Sequence, residues 1–213
     1  MGHKKLIRFE AIKTFPNVLQ YPQGMKNKWN DFFKNDYPIT LELACGKGEY
    51  AVGLGRLYPQ RNFVGIDIKG NRIWKGAKTA LDEGLSNVAF IRSHIDKVTD
   101  YFDTNEVDEI WVTFPDPQPK RIRENKRLTS PPFLKMYKEM LKSDGVVHLK
   151  TDSDFLYQYT LEVVKEHNLN LLISTDDLYN STVSDDVKSI QTFYEKMFMV
   201  NGKNINYCKF QFI

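Results

Sequence analysis

Ile39-Thr-Leu-Glu-Leu-Ala-Cys-Gly-Lys-Gly48 runs five strand-forming residues into a turn punctuated by two glycines. A short apolar run, a glycine turn and a helix-length segment through about Leu57 make the opening of a strand–helix unit. The pattern continues on the C-terminal side. Phe63–Ile68 reads as the next strand, and the segment after it places Ile73, Trp74, Ala77, Ala80 and Leu81 on one helical face. Val88–Ile91, Val107–Phe114 and Val146–Lys150 are three more strands. Between the last two, Ser130 is an N-cap residue with Pro131 at the first helical position, and that helix runs to about Gly145. Phe155–His167 is a helix with Leu156, Tyr159, Val163 and Val164 inward. Leu169–Ser174 and Asn206–Ile213 complete seven strands. The final one alternates Cys208, Phe210 and Phe212 against Tyr207, Lys209 and Gln211, as a strand with unlike faces does.

Strands alternating with helices predict an α/β fold whose mostly parallel seven-stranded sheet is covered on both faces. The helix-length segment Ile190–Val200 before Asn206 leaves room for an antiparallel last strand. Met25–Lys34 reads as a short helix carrying Trp29, Phe32 and Phe33. Residues 1–23, basic and aromatic without a clear period, form an arm on the domain. No repeat, linker or low-complexity segment divides the chain. The expectation is a single domain over 1–213, with its core at 39–213.

The 213 residues carry a net charge of only +3, but the charge is unevenly spread. Residues 1–34 hold seven Lys/Arg against two acids, whereas 152–200 hold three against nine. Concentrated basic segments are the electrostatic footprint of a nucleic-acid partner. Cys45 and Cys208 lack metal-ligand spacing, and four scattered histidines make no zinc-type cluster, so no metal is expected. The N-terminus lacks the apolar run of a signal peptide and no segment is suited to a bilayer, which predicts a cytoplasmic protein without a membrane partner.

Ligands of open α/β sheets collect at the carboxyl ends of the strands. Gly46-x-Gly48-x-x-Ala51 alone also fits a dinucleotide fingerprint. Two features favour S-adenosylmethionine instead. Glu42 precedes the turn, where a carboxylate orders the loop or meets a cationic amino-acid group. Asp67, Asp96 and Asp116 end successive strands, an arrangement of more use to a sulfonium and ammonium ligand than to a pyrophosphate. An NAD-dependent oxidoreductase is the alternative from another class, but no catalytic His or Tyr–Lys pair is evident for it.

Val112-Thr-Phe-Pro-Asp-Pro-Gln-Pro-Lys-Arg-Ile-Arg-Glu-Asn-Lys-Arg127 joins a strand end to a cationic loop. Asp116 is fixed between two prolines, and five of the eight residues from Lys120 to Arg127 are basic. A carboxylate at a strand end orients a polar ligand, and the basic loop suits a phosphate backbone. Together they point to an enzyme acting on nucleic acid.

Phe114-Pro-Asp-Pro-Gln-Pro-Lys120, Arg127-Leu-Thr129, Lys150-Thr-Asp152 and Thr192-Phe-Tyr-Glu195-Lys-Met-Phe198 follow in that order after Glu42-Leu-Ala-Cys-Gly-Lys-Gly48. In this the chain resembles, from about Ile39 to its C-terminus, the bacterial tRNA (guanine-N7-)-methyltransferases, the TrmB family. The resemblance implies a Rossmann-like class I methyltransferase that forms 7-methylguanosine in the tRNA variable loop. It carries Glu42, Gly46, Gly48, Asp67, Asp96 and Asp116 over as positions binding S-adenosylmethionine. Lys120, Asp152, Thr192, Phe193, Tyr194 and Glu195 match the substrate-binding positions. Ile122, Arg123, Glu124, Asn125, Lys126 and Arg127 match the RNA-contacting loop, and Asp116 and Asp152 are the expected catalytic residues. Gln118 stands where that pattern has Trp, Ala44 replaces the first glycine of the turn, and Asp67 stands where Glu is common. Monomer and homodimer are both compatible with the sequence.

Overall fold

The five parallel strands at the centre of the sheet form where the sequence offers short apolar runs that end in glycine or a polar residue. The computed structural model describes residues 3–213. The central strands are β2 (Ile39–Leu43), β3 (Asn62–Asp67), β4 (Val88–Arg92), β5 (Val107–Thr113) and β6 (Leu141–Thr151). Every residue of β2 and β3 is buried, as expected for strands covered on both faces. Two further strands, β7 (Asn170–Thr175) and β8 (Asn206–Gln211), follow in chain order. The last strand is antiparallel to both its neighbours and inserts between β6 and β7.

The sheet has eight strands rather than seven, in the order β1-β4-β3-β2-β5-β6-β8-β7. The extra one, β1 (Val18–Gln20), extends the sheet by pairing in parallel with β4. Residues 1–23 are therefore more than an arm, although Met1 and Gly2 lie outside the described residues. His3–Ala11 forms helix α1, which packs on α4 (Gly70–Asp82). Arg8 sits over the Trp74 ring at 4.7 Å, and Phe9 lies under Arg92 at 4.3 Å. Asn17 fixes the segment further by donating to the Ala77 carbonyl at 3.1 Å.

Helix α3 (Glu49–Leu57) and α4 cover one face, where Tyr50, Leu54, Ile73 and Ala77 meet Phe63, Phe90 and Trp111. The short α2 (Trp29–Phe33), α5 (Pro131–Met140) and α6 (Asp154–Glu166) cover the other, where Trp29, Phe133 and Leu156 meet Leu41, Ile66 and Val112. Helix α5 ends at Met140, earlier than expected, because the chain enters β6 directly at Leu141. Ser130 holds its N-cap position without a side-chain cap bond.

The helix-length segment over 190–200 is helical only from Phe193. A separate helix, α7 (Asp185–Ser189), ends before it, and α8 (Phe193–Val200) starts afresh after Thr192. The restart has a local cause. Thr192 Oγ1 accepts from Glu195 N at 3.1 Å, and the Glu195 carboxylate accepts from Thr192 N at 3.1 Å, forming a reciprocal capping box.

Candidate active site

Strand order reverses between β2 and β5, so the crevice at their carboxyl ends is the topological switch point. The turn after β2 supplies one wall. Ala44, Gly46 and Gly48 all take left-handed backbone conformations, with φ of +58°, +55° and +67°. The two glycines differ in purpose. A Cβ on Gly48 would lie 2.3 Å from the Phe90 ring, so this glycine lets α3 pack against β4. A Cβ on Gly46 would meet only the Ala44 carbonyl, at 3.9 Å, so here the backbone itself faces open space. Gly46 leaves room for a ligand at the turn, and Gly48 has a packing role the sequence did not reveal.

The acids around this turn are placed by backbone bonds. Asp67 accepts from Gly46 N at 2.9 Å and from Lys69 N at 2.7 Å, tying the turn to the end of β3. Glu42 accepts from Ala51 N at 2.9 Å and from Thr113 Oγ1 at 3.1 Å. Burial pushes its carboxyl up to about 8, even though those hydrogen bonds favour the charged form. Glu42 borders a small cavity of about 70 Å³ together with Gly46, Lys47, Thr113 and Tyr194. Asp96 lies exposed in the first turn of a 3-10 segment after β4. Acids at the ends of β3, β4 and β5 around an open glycine turn fit a ligand that carries both a cationic amino acid and a ribose.

The wall after β5 holds Asp116 in a strained frame. Phe114 and Gln118, on either side of the two prolines, have φ of +48° and +46°, uncommon for residues other than glycine. Asp116 accepts from Gln118 N at 3.1 Å. It borders a pocket of about 580 Å³ with Asp152, Phe114, Tyr194, Phe198 and Lys203. Asp152 is ion-paired to Lys203 at 3.2 Å, and the Lys203 ammonium also lies 5.3 Å from the Phe198 ring. Thus Asp116 and Asp152, from different strand ends, share one pocket. Lys203 is a member that the motif reading missed.

Two further groups of expected contact residues lie on the loop after Asp116 and at the start of α8. In the loop 121–126, a 3-10 turn, Ile122 is 91% exposed, and Lys120, Arg123, Asn125 and Lys126 also face outward. Arg127 does not: it is 5% exposed, with Phe155 and Tyr159 rings 4.7 and 4.2 Å from its guanidinium. It donates to the Gln118 carbonyl at 3.2 Å and pairs with Glu124 at 3.3 Å. Arg127 with Glu124 is a strut holding the loop, and a direct RNA contact by Arg127 is not what this geometry offers.

Thr192 and Glu195 are among the residues expected at substrate-binding positions. Their mutual cap turns both inward. Glu195 is fully buried, accepts from the Tyr179 hydroxyl, and lies 2.6 Å from the ammonium of Lys150, itself fully buried. Phe193 and Tyr194 between them remain 54% and 40% exposed. The sequence held one unused signal, since Thr-x-x-Glu ahead of an apolar run is a capping-box signature.

A protein-family model described as "Putative methyltransferase" matches residues 36–208. A tRNA (guanine-N(7)-)-methyltransferase of Christiangramia forsetii is 51% identical, over 99% of this chain and 99% of its own length. One from Bacteroides thetaiotaomicron is 46% identical, over 99% of this chain and 86% of its own. Among solved structures, the 16S rRNA methyltransferase KamB superposes with a TM-score of 0.67 at 13% identity, covering 92% of this chain and 98% of that one. A SAM-dependent methyltransferase from Aquifex aeolicus gives 0.56 at 14% identity, covering 88% and 89%. At those identities the structural likeness speaks for the fold, the Rossmann-like class I methyltransferase architecture.

Proposed function

The chain belongs to the tRNA (guanine-N(7)-)-methyltransferase family, and on that premise we propose that Asp116 and Asp152 hold the reacting base in their shared pocket. It is an S-adenosylmethionine-dependent enzyme that forms 7-methylguanosine in tRNA. The target is a guanine of the variable loop, and the catalytic unit is one domain over residues 1–213. It works in the cytoplasm, as a monomer or homodimer, without a metal.

Guanine N7 has an in-plane lone pair and no proton, so the chain needs to supply no general base. S-adenosylmethionine, when bound, supplies an electrophilic methyl group on a sulfonium. Glu42, Gly46, Asp67, Asp96 and Asp116 are the residues that would hold it, and the open space before Gly46 fits that assignment. The rest is positioning, which can contribute several kcal/mol to a bimolecular step. Asp152 accepts from the amide and amino edge of guanine once Lys203 has given way. Phe114, Tyr194 and Phe198 offer ring faces to the base. Glu195 is a positioning residue: with Lys150 it holds α8, and hence Tyr194, against the end of β6.

The observation that carries this reading is that Asp116 and Asp152 border one pocket, which shares Arg72, Phe114 and Tyr194 with the cavity at the glycine turn. The test is incubation with methyl-labelled S-adenosylmethionine and unmodified tRNA, digestion to nucleosides and mass spectrometry. Labelled 7-methylguanosine is expected. Label in another nucleoside would overturn the assignment of the base.

A further inference from the structure

A groove of about 1100 Å³ runs between α3 and α4, bounded on one side by residues 189–196. Arg8 of α1, Lys47 of the glycine turn, Arg72 and Lys75 of α4, and Lys196 of α8 all line it. Its two acids are engaged already. Glu83 takes both of its hydrogen bonds from Arg56 at 2.6 Å, and Glu49 accepts from Phe193 N at 3.2 Å. None of the five cations forms an ion pair with a carboxylate among the described residues.

These charges come from four separate segments, so a single basic run does not explain their convergence. Like charges gathered in a concavity repel one another, and a polyanion relieves that cost. The groove also carries an aromatic feature. Phe193, with Lys47 Nζ 4.2 Å from its ring, lines it, and Tyr194 stands edge-on to Phe193 at 5.7 Å. A cationic track with exposed rings along it suits single-stranded nucleic acid, whose backbone follows the charges while bases stack. Arg72 links this track to the chemistry, because it also borders the glycine-turn cavity and the Asp116–Asp152 pocket.

We propose that this groove binds the sugar-phosphate backbone of the tRNA on one side of the target guanine, with a neighbouring base stacked on Phe193. The inference rests on the reading of the chain as a tRNA methyltransferase and adds a second RNA contact to the loop 121–126. The groove meets the pocket at Arg72 and the basic loop leaves it after Asp116 and Pro117, so the backbone is gripped on both sides of a base withdrawn from its stack. That withdrawal costs roughly a few kcal/mol, which phosphate contacts on either side offset.

The test uses the double variant K75E/K196E. Both lysines are exposed, and neither borders the Asp116–Asp152 pocket, so the fold and S-adenosylmethionine affinity stay as in the wild type. The tRNA Kd at about 0.1 M salt should rise tenfold or more. The slope of log affinity against log salt should become shallower by about 1.4 to 1.8, for two phosphate contacts. The rate at saturating tRNA should be retained. K75Q/K196Q should show the same direction with a smaller loss. A folded K75E/K196E with wild-type Kd and salt slope overturns the groove assignment, as does a lowered rate at unchanged Kd. A wild-type enzyme that binds tRNA through this groove but labels a nucleoside other than 7-methylguanosine overturns the reaction and leaves the groove standing.

Discussion

Lys150 Nζ lies 2.6 Å from a carboxylate oxygen of Glu195, and neither side chain has exposed surface. The same ammonium donates to the Tyr50 hydroxyl at 2.8 Å and to the carbonyls of Val187 and Ile190 at 3.1 and 3.3 Å. One buried cation therefore ties the end of β6 to α3, α7 and the cap of α8. Burial lowers its affinity for the proton, and Glu195 opposes that shift.

Removing either partner alone leaves an uncompensated buried charge. Lys150→Met or Glu195→Leu should each cost about 3 to 5 kcal/mol in urea unfolding. The double variant should lose clearly less than the sum, because the orphaned charge is gone. Strict additivity would show that the pair is not coupled.

Asp152→Ala should reduce methylation at least a hundredfold while leaving S-adenosylmethionine binding near the wild-type level, read by calorimetry. Joint loss of activity, cofactor affinity and thermal stability would make Asp152 a structural residue at the start of α6.

The loop after Asp116 separates two roles that its composition blurs. Charge reversal at the exposed Arg123 and Lys126 should weaken tRNA binding and flatten its salt dependence, with stability unchanged. Arg127→Ala should act the other way first, costing roughly 1 to 3 kcal/mol of stability, because the buried guanidinium packs between Phe155 and Tyr159 and bonds the Gln118 carbonyl.

Glu42 gives a pH signature. Its carboxyl is raised from 4.5 to about 8 by burial, so between those values the folded protein holds a proton that the unfolded chain has released. The stabilising contribution is fully present below pH 4.5 and is lost as pH rises through about 8. Glu42→Gln should remove this component, worth up to about 1.4 kcal/mol per pH unit within the window. Urea midpoints of the two proteins from pH 5 to 8.5 measure it. Parallel profiles would show that Glu42 is already ionised in the fold.

The strands that decide the architecture were readable because β2 to β4, and β5 and β6 toward their carboxyl ends, are buried on both faces, and burial leaves an apolar run bounded by polar or glycine residues. The acids at their ends were readable for the same reason, since a strand's end fixes where Asp67 and Asp116 stand. What escaped depended on distant partners. Val18–Gln20 is a strand because the edge of β4 is there to receive it, and three residues carry no period of their own. In Thr192–Glu195, helical spacing places two residues on one face without saying which way that face turns. Buried Lys150 supplies the answer, and it lies far off in the chain, on β6. Gly46 and Gly48 look alike in sequence, and only the position of Phe90 distinguishes them.

The antiparallel strand β8 has a bearing on how the protein is made. It is the last strand in the chain, yet it sits inside the sheet, and β7 at the sheet's edge pairs with no other described strand. During translation the sheet stays open until residue 211 has been synthesised. In that interval β7 is a strand with two unpaired edges. Leu171, Leu172 and Ile173, still substantially exposed in the finished fold, are then free to pair with another nascent chain. A chain that lacks β8 would thus leave an aggregation-prone sheet with one gap between β6 and β7.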